Sequence, residues 1–96
     1  MSKTATHVEQ PARHRVWGLI VDSLPRPAEF VVIRYPSEGR RHSEPFTEVM
    51  RLPYIENADA AVAALVYRAA MPKPTAVSLV MAVSAKIQSA KLRRAV

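Results

Sequence analysis

The chain has 96 residues, 49% of them apolar and 23% charged, the balance of one globular domain with a modest core rather than of a disordered segment. It contains no cysteine, which excludes disulfides, thiol catalysis and thiolate metal sites. Fourteen basic against eight acidic side chains leave a net charge of +6, unevenly placed: residues 37–56 sum to −1, whereas residues 75–96 carry Lys86, Lys91, Arg93 and Arg94 and no acid. A basic end of this kind attracts nucleic acid, an acidic protein or an anionic surface. The N-terminal stretch lacks the apolar run of a signal peptide, and the longest apolar run, Ala60 to Tyr67, is too short to span a bilayer. The expectation is a soluble, cytoplasmic protein with no membrane partner.

Residues 1–13 are polar, contain Pro11 and show no periodicity, so they read as a flexible N-terminal arm ahead of a single domain over residues 14–96. His14 to Val21, HRVWGLIV, is rich in β-branched and aromatic residues and reads as a strand. Trp17, Leu19 and Val21 share one of its faces; Val16 and Ile20 lie on the other, which suggests a central strand. Pro25 and Pro27 make the next stretch a turn, since each proline fixes φ and removes a ladder donor. Glu29 to Tyr35, EFVVIRY, is the clearest strand of the chain, with Phe30, Val32 and Arg34 alternating with Val31, Ile33 and Tyr35.

A turn follows over Pro36 to Arg40, where Gly39 supplies the positive φ of a tight reversal. Arg41 to Leu52 is ambiguous. Phe46, Glu48, Met50 and Leu52 alternate with Thr47, Val49 and Arg51 as a third strand would, while Phe46, Val49, Met50 and Pro53 also fit a short helical turn. The strand is favoured, because a meander needs only the loop already present.

Asn57-Ala58-Asp59 offers an N-cap to a helix over Ala60 to Met71, with Val62, Leu65, Val66 and Ala69 on one stripe. Pro72 and Pro74 stop it. From Thr75 to Arg94 the residues Ala76, Leu79, Val80, Val83, Ile87 and Ala90 recur at three- and four-residue steps, the seam of a second helix. The alternation of Val77, Leu79, Met81 and Val83 keeps open a fourth strand over residues 75–83. The fold class is therefore α+β: a small antiparallel β-meander of two or three strands followed by two C-terminal helices packed on one face.

Catalysis has little to stand on. General acid–base or nucleophilic work needs a base within reach of its partner. His7 and His14 lie in or beside the arm, and His42 stands two residues from Glu44 with no third ligand to complete a metal site. Only Gly18 and Gly39 occur, so no glycine-rich phosphate cradle can be built. The expectation is a protein that is not an enzyme and takes no cofactor, metal or small-molecule substrate.

Two basic features remain. Arg40 and Arg41 sit at a hairpin tip with Tyr35 nearby, placed to meet phosphates or stack on a base, although Glu38 and Glu44 flank them. Lys86, Lys91, Arg93 and Arg94 fringe the end of the last helix. The two features together point to nucleic acid, a nucleoprotein or an acidic partner. On that helix Val77, Met81, Ala85 and Leu92 form a second, thinner apolar strip opposite the seam, which calls for a homodimer or a protein partner. A helix–turn–helix is disfavoured, since the second helix would start with Ala76-Val77-Ser78-Leu79 where base-reading residues belong. The leading expectation is a non-enzymatic basic binding protein. The alternative is a small regulatory or inhibitory protein acting by protein contact: an antitoxin, an adaptor or a phage-encoded inhibitor of a host defence complex such as an anti-CRISPR.

Overall fold

The computed structural model describes the backbone of residues 5–9, 17–35 and 46–95 and the side chains of 17–35 and 46–93. Four strands, β1 (Ala5–Glu9), β2 (Trp17–Asp22), β3 (Glu29–Arg34) and β4 (Thr47–Pro53), are followed by α1 (Ala58–Arg68) and α2 (Lys73–Ala95). The strands form one antiparallel sheet in the order β1-β2-β3-β4. The α+β arrangement of a meander followed by two helices is thus the one expected, with more strands than the two or three read from the sequence. Ala5–Glu9, within the stretch read as an arm, pairs along β2 from Ala5 opposite Asp22 to Glu9 opposite Gly18.

β2 and β3 are the central strands, as their apolar residues on both faces require. One face of the sheet carries Trp17, Leu19 and Val21 from β2, Phe30 and Val32 from β3 and Leu52 from β4, all buried in the core beneath the helices. On the other face Ile33 is fully buried, and Tyr35, just past the strand, is only 3% exposed with its ring edge-on to Phe46 at 6.0 Å.

Residues 47–53 form a strand, which resolves the ambiguity there, yet they do not alternate evenly. Val32 pairs with Met50 and Ile33 with Glu48, so Val49 is the extra residue of a bulge. One inserted residue reverses the parity of everything before it. Glu48 therefore leaves the face of Met50 and Leu52 and joins Arg51 on the face away from the helices.

α1 begins where Asn57 caps it: the Asn57 side chain accepts a hydrogen bond from the Ala60 amide at 2.9 Å. It ends earlier than its alanine-rich composition suggests. Ala70 has φ 58°, a left-handed conformation that turns the chain before Pro72, and residue 71 precedes a proline and is biased out of the helical region. The buried residues of α1 are Ala61 and Leu65, followed by Ala69 at its C-cap; Val62 and Val66, expected on the inward stripe, are half-buried at the boundary with α2. α2 starts two residues before Thr75, because Pro74 falls in the first turn, where a missing amide proton costs nothing, and the Ala76 amide bonds the Pro72 carbonyl at 3.0 Å.

The whole of residues 75–83 is helix, so the fourth-strand reading falls. The predicted seam is the buried one: Ala76, Leu79, Val80, Val83, Ile87 and Ala90 are each 7% exposed or less. Burying each larger side chain of that seam contributes about 1.5–3 kcal/mol. This seam fixes which way α2 faces, and so decides which of its residues reach solvent.

Candidate functional site

α2 carries Lys73, Lys86, Lys91, Arg93 and Arg94 and no acid, so this one element holds five of the chain's basic residues without internal compensation. With Val83, Ile87 and Ala90 turned inward, a rotation of about 100° per residue places Lys86 and Arg93 along one edge of the seam and Lys91 along the other. Lys86, Lys91 and Arg93 are all exposed. Among the described residues no carboxylate lies within ion-pair distance of any of the three. Arg94 belongs to the same last turn by its backbone. Arg40 and Arg41 lie outside the described residues, as do His14, His42 and Glu44.

Two other arginines with described side chains, Arg51 and Arg34, are engaged within the fold. Arg51 is held by two glutamates: its Nε and Nη2 donate to the two carboxylate oxygens of Glu48 at 2.8 and 3.0 Å, and its Nη1 donates to Glu29 at 2.6 Å. Those bonds hold the Arg51 guanidinium above its ordinary range and, with the hydrogen bond from Arg51 as the main cause, pull the Glu48 carboxyl below its own. Arg34 stacks over Trp17, 4.7 Å from the ring centroid.

The fold adds neighbours to Lys91 that sequence reasoning missed. Arg26, Tyr54 and Glu56 line a shallow concavity of about 360 Å³ together with Pro25, Pro27, Ile87 and Lys91. Arg26 comes from the proline turn between β2 and β3, and Tyr54 follows β4. Burial, and secondarily the Glu56 carboxylate, pushes the Tyr54 phenol above its usual value, so it stays a neutral hydrogen-bonding group at physiological pH. Nothing local marks Arg26 or Tyr54; only the packing of α2 against the end of the sheet brings them beside Lys91. The concavity offers two cations, a phenol and apolar walls, features that suit a phosphate with an attached ring, and Glu56 as one opposing charge. Tyr35, grouped with Arg40 and Arg41 as a stacking residue, is buried, and its ring is therefore withdrawn from any base.

The second strip of α2 is exposed where the sequence placed it. Met81 is 65% and Leu92 63% exposed, Ala85 is exposed and Val77 is half-buried. It borders a groove of about 480 Å³ between the helices, walled by Val62, Ala63 and Val66 from α1 and by Val77, Val80 and Met81 from α2. Tyr67, 85% exposed, stands at this groove; in the sequence it reads only as the end of an apolar run.

Among the described residues no three His, Asp or Glu side chains are grouped to hold a metal ion, and no helix is long and apolar enough to cross a membrane. No protein family, curated protein or solved structure matches the chain.

Proposed function

We propose that the chain is a non-enzymatic binding protein that engages nucleic acid, or a nucleoprotein, through the cationic end of α2, with Arg40 and Arg41 between β3 and β4 as auxiliary contacts. The observation that carries this reading is the exposure of Lys86, Lys91 and Arg93 without a carboxylate partner among the described residues. Cations in a last turn complement the helix dipole, at about 0.3–1 kcal/mol each, and that accounts for Arg93 and Arg94. It does not account for Lys86, which lies more than two turns before the helix ends at Ala95. Arg26 and Tyr54 beside Lys91 extend the surface with a further cation and a ring.

A second reading is favoured by a separate observation. Tyr67 and Met81 are exposed at the groove between the helices and Leu92 is exposed farther along α2, large apolar side chains that suit a small regulatory or inhibitory protein acting by protein contact. A mobility shift on duplex DNA, single-stranded DNA and RNA separates the two. The chain is expected to bind at about 50 mM salt, and the variant Lys86→Gln/Lys91→Gln/Arg93→Gln/Arg94→Gln is expected to lose binding while keeping its circular dichroism spectrum. Absence of any shift by the unaltered chain at that salt overturns the polyanion reading in favour of protein contact.

A further inference from the structure

We propose that the concavity lined by Arg26, Tyr54, Glu56 and Lys91 holds an unpaired guanine nucleotide of a single strand, its base read by Tyr54 and Glu56 and its phosphate held by Arg26 and Lys91. The assignment rests on the polyanion reading and deepens it, by naming the form of nucleic acid that the end of α2 selects.

The walls are held by the fold itself. The Arg26 amide donates to the Ser23 carbonyl at 3.0 Å and closes the proline turn. The Tyr54 amide donates to the Ala28 carbonyl at 3.1 Å, which ties the segment after β4 to the residue before β3. The Tyr54 ring is tilted against Phe30 with their centroids 5.2 Å apart, and the buried Ile87 adds an apolar wall. Pro25 and Pro27 have little backbone freedom to lose when a ligand docks. A volume of about 360 Å³ falls at the low end of the roughly 300–1,000 Å³ that takes a small molecule, which suits one nucleotide.

The charged groups of this surface are not engaged with one another. Arg26, Glu56 and Lys91 line it together, yet among the described residues none of the three is in an ion pair or a side-chain hydrogen bond. Two cations and one carboxylate sum to +1, the complement of the single charge a nucleotide carries within a strand.

A carboxylate accepts hydrogen bonds and repels phosphate, so the partner for Glu56 is a group that donates. In nucleic acid the bases offer such donors on their edges. Glu56 has two acceptor oxygens. Tyr54, two residues before it, keeps its proton at physiological pH, because burial and then the Glu56 charge hold the phenol above its usual value. One donor beside two acceptors matches the Watson–Crick edge of guanine, where O6 accepts and the N1 and N2 protons are donated. Adenine, cytosine and thymine each present one donor group on that edge and leave one carboxylate oxygen unmet. In a duplex the guanine edge is taken up by cytosine, so only an unpaired guanine can present it.

Fluorescence anisotropy at about 150 mM salt, with short labelled thymine strands carrying one central guanine, adenine, cytosine or inosine, tests the proposal. Guanine is expected to raise affinity about tenfold over thymine, and inosine, which lacks the 2-amino group, to gain less. Annealing the complementary strand is expected to remove the dependence on the central base. Glu56→Gln, at an exposed position, and Tyr54→Phe, which keeps the ring, are each expected to lose most of the guanine preference. A Glu56 that is merely an opposing charge gives a different result, an equal gain for every strand in Glu56→Gln, and that result overturns the proposal. Equal binding of all central bases by the unaltered chain overturns it too, and leaves the polyanion reading standing if duplex DNA still binds. Absence of binding to strand and duplex alike at about 50 mM salt overturns both. Free guanosine 5′-monophosphate is expected to displace the guanine strand only at millimolar concentration. Displacement at micromolar concentration assigns the site to a free nucleotide and overturns the strand.

Discussion

Arg51 on β4 and the cations near the end of α2 are both in contact with water, yet they meet opposite surroundings. Arg51 lies between Glu29 and Glu48 and makes three hydrogen bonds to them. Lys86, Lys91 and Arg93 project from a helix without an acid, and among the described residues no carboxylate pairs with them. Salt screens exposed charges beyond about 8–10 Å, so the field a ligand feels is set by local imbalance and hardly at all by the net charge of the chain. On the sheet side Arg51 is cancelled at contact distance, whereas among the described residues no carboxylate pairs with Lys86, Lys91 or Arg93, and Glu56 opposes them only from across the concavity it shares with Lys91. What distinguishes Arg51 from the cations proposed to bind is therefore its immediate neighbours.

The comparison requires that α2 be anchored by its inner face alone, leaving the outer residues free of structural duty. Leu79→Ala, at a position 1% exposed, is expected to cost about 2–5 kcal/mol in urea unfolding, a large part of the roughly 5–15 kcal/mol that holds such a domain together. A loss as large from the quadruple glutamine variant would place its cations among the fold's supports and end the distinction. Asn57→Ala, which removes the cap of α1, is expected to cost about 1 kcal/mol and to lower the melting temperature by roughly 4–8 °C, with polyanion affinity unchanged.

The smallest expected effect concerns Tyr54, beside Lys91. Its phenol is raised in the folded chain, so the neutral form stabilises the fold. That contribution is whole below the unfolded value near pH 10 and is lost as pH rises through the folded one. Ultraviolet titration is expected to show a late phenol that moves down in Glu56→Gln. An unmoved titration removes Glu56 as a cause and leaves burial.

Much of this was legible in the residues themselves. Six apolar positions at three- and four-residue steps predict which face of α2 is buried, because helical period and burial are the same constraint. The exposed strip of Met81 and Leu92 follows from the same geometry. The β-bulge was not legible: an inserted Val49 looks like any alternating residue until Met50 and Glu48 are seen opposite Val32 and Ile33. Nor was the pairing of Ala5–Glu9, a short segment whose partner strand decides its conformation. Tyr35 follows a strand and precedes a basic turn, which hides that its ring packs inward. Arg26 and Tyr54 come beside Lys91 only through tertiary packing, and no spacing rule reaches that far.

The most direct test measures the salt dependence of binding to duplex DNA by fluorescence anisotropy, in the unaltered chain, in Arg51→Gln and in the quadruple glutamine variant. If Lys86, Lys91, Arg93 and Arg94 each meet a phosphate, the slope of log affinity against log salt is about −3.6, a loss of roughly 100-fold between 50 and 200 mM. Arg51→Gln is expected to leave that slope intact, and the quadruple variant to remove most of it, leaving only what the auxiliary arginines contribute. A flat dependence in the unaltered chain, or a slope that Arg51→Gln reduces as much as the quadruple change does, would contradict the account.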